Sequence, residues 1–500
     1  MTITRCLAAS LLAPVFALAQ APFPTYPDWT SSDAQYSTGA ALVDLDHDGW
    51  LDLVVSNGND MAKQRLVVYY GIGDGNLPSA PDWQSSDTAY NGHLDVADVN
   101  GDGWPDVAVA VLGSYSDIDP AAKLYLNSNG TLSALPSWQA AEEANAFGCA
   151  FGDMNNDGRP DLALATGWAY DPQTFSPNRV YLNPGGTRAT SASWSSADVD
   201  HLQGVQWVDA DQDGWLDLVG AASGSRSRIY FNTGAGTLET TATWLTADGP
   251  SQDAIMSACG DVSGDGEPEL FITDNTQLGG AGLLRQYDGL VGGLFATSYS
   301  WSTFQDYGSA VALADLDGDG ALDLAEGSWW GNVHLFFNTG SGLAATPAWT
   351  SSLSTVVEKI AFGDIDRNAL AQFTAVLPAD GHSVFTLPHQ PIQDVLEVRL
   401  DGSVLTPDRY VLDRVHGWVS VDSIPSVSLE VRYTRPLAPD MVITNWDNVG
   451  NHAYYNLYEP YDPPLFADGF ESGDTSAWSE TVGGSPARTP ARFPRGRKQP

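Results

Sequence analysis

A nine-residue acidic pattern recurs seven times between residues 44 and 372 of this chain, six times with a glycine at its sixth position. The copies begin at Asp44, Asp98, Asp153, Asp209, Asp261, Asp315 and Asp364, at intervals of 49 to 56 residues. Six of them read Asp-x-[Asp/Asn/Ser]-x-Asp-Gly-x-x-[Asp/Glu]. Calcium takes about six to eight oxygen ligands, and such a loop offers side chains at positions 1, 3, 5 and 9 with a carbonyl at position 7. The pattern therefore predicts a set of calcium loops.

The predicted ligands differ from loop to loop. Loops one, four and six each carry four aspartates: Asp44, Asp46, Asp48 and Asp52; Asp209, Asp211, Asp213 and Asp217; Asp315, Asp317, Asp319 and Asp323. Loops two and three have an asparagine at position 3: Asp98, Asn100, Asp102 and Asp106; Asp153, Asn155, Asp157 and Asp161. Loop five is predicted to be the weakest site, with Asp261, Ser263, Asp265 and Glu269.

The seventh loop departs from the pattern. It reads Asp364, Asp366, Asn368 and Ala369, with Gln372 in place of the closing carboxylate, and it lacks the glycine. We therefore expect about six calcium ions and none in loop seven. Because converging carboxylates repel one another unless a cation lies between them, we expect the metal to be structural.

The residues around each loop predict four short strands per repeat. An apolar strand precedes each loop, a second follows it, and an aromatic third strand often ends in asparagine, as at Asn127 and Asn183. The fourth strand carries a tryptophan: Trp29, Trp83, Trp138, Trp194, Trp244, Trp301 or Trp349. Short β-branched and aromatic runs between Gly/Asn turns indicate an all-β fold. A period near 50 residues then predicts a β-propeller of seven recognisable four-stranded blades.

At this point the chain resembles the FG-GAP/VCBS family, whose repeats form the integrin α-subunit propeller and occur in many bacterial secreted proteins. The loop motif at this period is specific, and the resemblance covers residues 22–390. It implies a calcium-binding propeller, usually of seven blades. It implies no single function, because one fold serves many.

The ends of the chain suggest further segments. Residues 1–19 have the pattern of a signal peptide, and the strand at Trp29 is expected to complete the last blade. Residues 391–433 predict a small β-sandwich-like module, and residues 434–460 predict returning strands. Those strands form either a degenerate eighth blade or a hairpin that returns to blade seven. Residues 461–500, with their DGFESG-type motif, are expected to be a disordered tail.

Composition narrows the possible partners. The formal net charge is -40 and the pI is about 4.1, which argues against nucleic acid and anionic lipid as partners. The signal-like start predicts a secreted or periplasmic bacterial protein, and no later segment is apolar for long enough to span a membrane. Cys149 and Cys259 lie in non-adjacent repeats, so we expect free thiols.

Aromatic residues suggest a ligand-binding face opposite the acidic loops. The candidates are Trp168, Tyr170, Trp329, Trp330 and Trp446. Polar residues between the blades add Asp33, Asp87, Glu142, Asp198, His201 and Asp306. Aromatic rings beside carboxylates suit sugar binding, so we expect a binding or adhesion module for carbohydrate or a surface protein. The alternatives are a propeller-type polysaccharide lyase or hydrolase, for which no catalytic residue is specific, and a purely structural surface protein.

Overall fold

A computed structural model describes residues 21–457 apart from 115–118, 168–174, 187, 250–251, 341 and 448. The predicted signal peptide (1–19), the predicted tail (461–500) and the candidate ligand residues Trp168 and Tyr170 lie outside the described residues.

The described chain forms seven four-stranded antiparallel blades. The strands of blade 1 are Ser37–Val43, Asp52–Asn57, Val67–Tyr69 and Trp83–Gln84. Those of blade 2 are Asn91–Ala97, Asp106–Val111, Ala122–Tyr125 and Trp138–Gln139. Those of blade 3 are Ala146–Gly152, Asp161–Thr166, Ser176–Tyr181 and the start of Trp194–Val208. The strands of blade 4 are the rest of Trp194–Val208, Asp217–Ser225, Arg228–Tyr230 and Trp244–Leu245. Those of blade 5 are Ser257–Gly260, Glu269–Ile272, Leu283–Tyr287 and Trp301–Phe304. Those of blade 6 are Gly308–Ala314, Asp323–Ser328, His334–Phe336 and Trp349–Thr350. The fold is therefore the predicted all-β propeller, and all seven repeat tryptophans begin fourth strands.

The seventh blade joins the two ends of the described chain. Its strands are Val357–Gly363, Asp440–Asn445, His452–Tyr454 and Trp29–Thr30. Trp29 pairs with Ala453, so the first strand of the chain is the outer strand of the last blade. The returning strands therefore belong to blade seven, and the described residues contain no eighth blade.

A separate β-module interrupts blade seven between its first and second strands. It begins with Leu370–Pro378, which pairs along its whole length with Ser428–Pro436. The module therefore starts at Leu370, not at residue 391 as predicted, because the strand after the seventh loop resembles the second strand of a blade in sequence but pairs within the module.

The module is a two-sheet sandwich with its own core. One sheet contains Leu370–Pro378, Ser428–Pro436, Asp394–Leu400 and Ser403–Val404, and the other contains Val384–Thr386, Trp418–Val421 and Tyr410–Asp413. A short 3-10 helix spans Pro407–Arg409. Buried residues such as Phe385, Val398, Val419 and Leu429 fill the space between the sheets.

Tryptophan wedges join neighbouring blades. Six fourth-strand tryptophans meet an aromatic ring of the next blade edge to face, with ring centroids 5.3 to 6.1 Å apart. The pairs are Trp29–Tyr69, Trp138–Tyr181, Trp194–Tyr230, Trp244–Tyr287, Trp301–Phe336 and Trp349–Tyr454. Edge-to-face contacts of this kind stabilise beyond the area they bury, and the repeat tryptophan thus has a packing role.

Asparagine latches join the blades a second time. The asparagine after the third strand donates its side-chain amide to a carbonyl of the preceding blade's acidic loop, at 2.5 to 2.9 Å. The pairs are Asn127 with Leu45, Asn183 with Val99, Asn232 with Met154, Asn338 with Val262 and Asn456 with Leu316. These asparagines are buried, so the bonds are protected from water.

We expect Asn232→Ala to lower the free energy of unfolding by about 1–3 kcal/mol, because it leaves the buried Met154 carbonyl without its donor. Urea unfolding measures the change. Asn76→Ala, at an exposed asparagine whose side chain hydrogen-bonds within the described residues only to Asp74, is the control and should change stability by less than about 0.5 kcal/mol. Equal stabilities for the two variants would contradict the latch.

Candidate functional site

The first aspartate of each loop organises the loop backbone. Asp44 Oδ1 accepts a hydrogen bond from the Asp48 amide at 3.1 Å, and Asp44 Oδ2 accepts one from the Gly49 amide at 3.0 Å. The same two contacts recur at Asp153 and Asp209. Gly49 has φ of 91°, a conformation that glycine adopts without steric cost. Hence the motif needs glycine at position 6.

The last carboxylate of each loop is the buried closing group. Asp217 accepts the Ala210 amide at 2.9 Å and the Asn232 amide at 2.7 Å, so it joins the loop to the third strand. Asp323 does the same with Leu316 and Asn338. Both aspartates are almost wholly buried.

Carboxylate oxygens converge in four loops. Groups whose ligand oxygens lie within 4.8 Å of one another are Asp44, Asp46 and Asp48; Asp209, Asp211 and Asp217; Asp315, Asp317 and Asp323; and Asp364, Asp366 and Asp440. In loops two and three, the amides of Asn100 and Asn155 donate to the aspartate two residues later. In loop five, Glu269 turns back to the Val262 and Ser263 amides.

The seventh loop does have a closing carboxylate, and it is Asp440. Asp440 accepts the Ile365 amide at 2.8 Å and the Asn456 amide at 2.8 Å, which are the contacts that closing residues make elsewhere. The Ala369 amide still donates to Asp364 at 3.1 Å. The expectation that this loop lacks its last ligand is therefore wrong. The inserted module separates Asp440 from the rest of the motif in sequence, but its two long paired strands bring it back.

These groups fit a divalent cation. Asp315 Oδ1 and Asp211 Oδ1 are buried and accept no hydrogen bond within the described residues. Burial raises the pKa of Asp323 to about 8 and the pKa values of Asp52 and Asp106 to about 7. Buried oxygens that are costly to ionise and lack donors are the groups a bound cation would stabilise.

We expect the melting temperature of the metal-free protein to fall between pH 6.5 and 8.5. Carboxyl groups in the unfolded chain ionise near about pH 4, while Asp323, Asp52 and Asp106 hold their protons in the fold up to about pH 7 to 8. The folded state therefore binds more protons than the unfolded state, and raising the pH through this range costs stability.

The range begins at pH 6.5 because buried histidines act in the opposite direction at lower pH. Burial lowers the pKa of His93 to about 3 and that of His452 to about 4, so stability is lost as pH falls below about 6.5. Calorimetry of chelator-treated protein at constant ionic strength makes the measurement. A flat or rising melting temperature from pH 6.5 to 8.5 would show that the loop carboxyls ionise normally in the fold.

The inserted module covers the acidic-loop face of the propeller. Arg435 Nη1 lies 3.3 Å from Asp315 Oδ2, and the Ser420 hydroxyl donates to Asp153 Oδ2 at 2.8 Å. Gln393 exchanges hydrogen bonds with the backbone of Asp364. The module therefore contacts loops three, six and seven and covers part of this face.

The opposite face carries an aromatic patch made of Trp329, Trp330 and Trp446. Trp329 and Trp330 follow the second strand of blade 6, and Trp446 follows that of blade 7. Their ring centroids lie 5.8 to 6.2 Å apart. Trp329 is 4% exposed and Trp330 is 52% exposed. The structure thus brings together three of the five predicted ligand residues and presents one ring to solvent.

A buried carboxylate supports the patch from below. Glu358 Oε2 accepts the indole N–H groups of Trp329 at 2.5 Å and of Trp446 at 2.8 Å. Burial raises the pKa of Glu358 to about 8, and its Oε1 lies 4.0 Å from the buried His93 Nε2. Both side chains are buried, and Glu358 positions Trp329 and Trp446.

Several acidic residues between the blades have structural contacts. The hydroxyl of Tyr125 donates to Asp87 at 3.0 Å, and that of Tyr181 donates to Glu142 at 2.9 Å. Tyr69 donates to Asp33 in the same way. The sequence placed these acids beside a ligand, whereas each one anchors a third-strand tyrosine.

This arrangement defines a β-propeller closed by both ends of the described chain. A family model for the FG-GAP-like repeat matches residues 44–109, 110–164, 209–272 and 261–326. FG-GAP-like repeats are therefore found in four places along the propeller. No curated protein matches it. A solved structure of BBS1N in complex with ARL6DN is similar at 11% identity and a TM-score of 0.42, covering 81% of this chain and 97% of that one. No helix among the described residues is long and apolar enough to cross a membrane.

Proposed function

We propose that this chain is a secreted bacterial binding module, stabilised by calcium, which takes carbohydrate or a surface protein on the face opposite its acidic loops. The observation that carries the binding role is the patch of Trp329, Trp330 and Trp446. Contiguous exposed apolar surface marks binding sites, and here the exposed ring of Trp330 lies against the partly exposed Trp446 and the buried Trp329. The secretion signal is read from residues 1–19 alone.

Backbone strain at Trp330 supports the same face. Its φ is 53°, a value that is costly for a bulky side chain. Its ring packs edge to face on Tyr307 at 5.7 Å and on Trp446 at 6.0 Å. Strain of this kind persists only where surrounding contacts enforce it, and it clusters at functional sites.

Sugar rings and protein side chains would both find partners on this surface. The apolar faces of sugars stack on indole rings, and side-chain cations of a protein lie favourably over them. The carboxylate of Asp447 is half-buried next to Trp446, and its Oδ1 lacks a hydrogen-bond partner among the described residues.

Calcium would be held by the acidic loops, including the split seventh loop. The bound ion would neutralise carboxylates that otherwise converge without a counter-charge. Asp364, Asp366 and Asp440 offer the same donors as loops one, four and six, which supports seven ions and not the six expected from sequence. The role is structural because the loops join first and second strands and lie beneath the inserted module.

Removing calcium is expected to lower the melting temperature by more than about 10 °C. At free calcium ten times the dissociation constant, each site adds about 1.4 kcal/mol, and several such terms equal the net stability of an ordinary domain. Calorimetry with calcium and with EDTA tests this. If the melting temperature is unchanged in EDTA and the metal content is shown to be zero, calcium has no structural role.

The seventh site is tested by counting ions. We expect seven calcium ions in the wild-type protein and one fewer in Asp440→Asn and in Asp366→Asn, by elemental analysis after equilibrium dialysis. Asp366→Asn is the milder change because Asp366 is only half-buried. Asp74→Asn, at an exposed aspartate outside the loops, should keep all seven. If every one of these proteins bound six ions, the proposal of a seventh site would be wrong.

Ligand binding is tested on a glycan array with the calcium-loaded protein. We expect capture of one glycan class, and at least a tenfold weaker signal for Trp330→Ala, since that change removes the exposed ring. Phe304→Ala removes an aromatic ring that is 67% exposed on the outer strand of blade 5 and should bind as the wild type does.

Two outcomes of the array would change the proposal. A blank array from protein that melts cooperatively would exclude carbohydrate and leave a surface protein as the partner. Capture that is equal for the wild type and Trp330→Ala would move the binding surface away from the aromatic patch.

A further inference from the structure

A cavity of about 110 Å³ lies on the axis of the propeller beneath the inserted module. Its walls come from the first strands of blades 1, 2, 3, 6 and 7, and its cap is the module segment from Val411 to Val415 with Pro391, Ile392 and Trp418. This space is separate from the aromatic patch, which lies on the opposite face, and from the acidic loops. It exists only because the module covers the axis.

Most of the cavity wall is apolar. Leu42, Phe151, Leu313, Phe362 and Ile392 contribute aliphatic and aromatic surface. An apolar cavity of about 150 Å³ holds a benzene-sized molecule. The present cavity therefore suits an organic molecule of about five or six heavy atoms whose larger part is a hydrocarbon chain.

The charged acceptors in the wall already have donors. Asp95 accepts the amides of Phe151 at 2.7 Å and Val96 at 2.8 Å. Asp413 accepts the His416 ring at 2.7 Å and the amides of Val415 and His416. The carboxylates therefore need no further partner, and a cationic ligand would find no free acceptor among them.

Two side-chain donors in the wall, those of Lys359 and Trp418, lack acceptors among the described residues, whereas Arg414 donates to the Gln393 carbonyl. Within the described residues, Lys359 Nζ makes no hydrogen bond and no ion pair, and Lys359 keeps some exposed area although protein surrounds it. Trp418 is 4% exposed, and its indole Nε1 has no hydrogen-bond partner. Buried polar groups are almost always paired, so two unpaired donors beside one cavity indicate a missing acceptor.

Lys359 also bears an electrostatic cost that an anion would relieve. Burial lowers the pKa of Lys359, and the charges of Asp95 and Asp413 offset that effect only in part. An anionic group against the ammonium would favour its charged form.

We propose that this axial cavity binds a short aliphatic monocarboxylate, with its carboxylate against Lys359 and Trp418 and its alkyl chain along the apolar wall. A chain of about four or five carbons matches the volume. Inorganic anions would satisfy the donors but leave the apolar wall unfilled, and alcohols of the same size would leave the ammonium unpaired.

Isothermal titration calorimetry of the full-length protein in saturating calcium tests the proposal with a series of probes from acetate to octanoate. We expect one site per chain, an affinity that rises from acetate to butyrate or pentanoate, and a fall of at least tenfold by octanoate. Butanol and butylamine, which match butyrate in size, should bind at least tenfold more weakly than butyrate.

Two variants place the site. Lys359→Met keeps the length and removes the charge, and it should weaken butyrate at least tenfold. Trp418→Phe keeps the ring and removes the N–H, and it should weaken butyrate about threefold while leaving the preferred chain length unchanged. Asp74→Asn, a change at an exposed residue outside the acidic loops and the cavity wall, should bind butyrate as the wild type does.

Several outcomes would overturn the proposal. If none of the acids gives heat at concentrations up to 20-fold above about 1 mM, a carboxylate site is excluded. Butanol binding as tightly as butyrate, or Lys359→Met retaining wild-type affinity, would show that the ammonium does not hold the ligand. If Lys359→Met fails to fold, Trp418→Phe and the neutral probes still decide. An affinity that keeps rising to octanoate would locate binding on an open surface and not in this cavity.

Discussion

The buried carboxylate at the end of each acidic loop is the group on which most of the propeller depends. In blade 4, Asp217 accepts one amide from its own loop and one from Asn232 at the end of the third strand. The Asn232 side chain then reaches the Met154 carbonyl of the preceding blade. One carboxylate therefore fixes the loop, the third strand and, through an asparagine, the angle to the neighbouring blade. The cost of burying it is the reason that its pKa rises and that a cation would stabilise it.

The seventh blade shows how strongly this constraint acts. A whole β-module separates Asp364 from Asp440 in sequence, yet Asp440 contacts Ile365 and Asn456 as its counterparts do. Asn456 in turn reaches Leu316 in blade 6. The insertion is tolerated because its two ends are the paired strands Leu370–Pro378 and Ser428–Pro436, which return the chain to the place where it left.

Sequence reasoning succeeded where the pattern is local and periodic. The strand order, the fourth-strand tryptophans and the loop glycines all lie within one repeat, so alternation and spacing predicted them. It failed where partners are far apart in the chain. In sequence, Gln372 stands at the ninth position of the seventh loop, whereas in the folded structure Asp440 takes the role of that residue. The strand that begins at Leu370 looks in sequence like the second strand of a blade. A single repeat does not show that the third-strand asparagines bond to the preceding blade, or that Asp87 and Glu142 accept hydrogen bonds from tyrosines. Each of these contacts needs a neighbouring element.

The two faces of the disc are unequal for a related reason. Arg435 and Ser420 hold the module against Asp315 and Asp153, so the module covers part of the acidic-loop face and caps the axial cavity. The other face keeps short irregular connections, and there Glu358 fixes two tryptophans while Trp330 stays exposed. The aromatic patch lies on the other face, away from the loop carboxylates that carry much of the chain's net negative charge. In the proposed role, an uncharged or cationic ligand would reach the patch without meeting those carboxylates. In the proposed binding role, the module leaves the aromatic face as the binding side, and no described residue of the module lies in the aromatic patch.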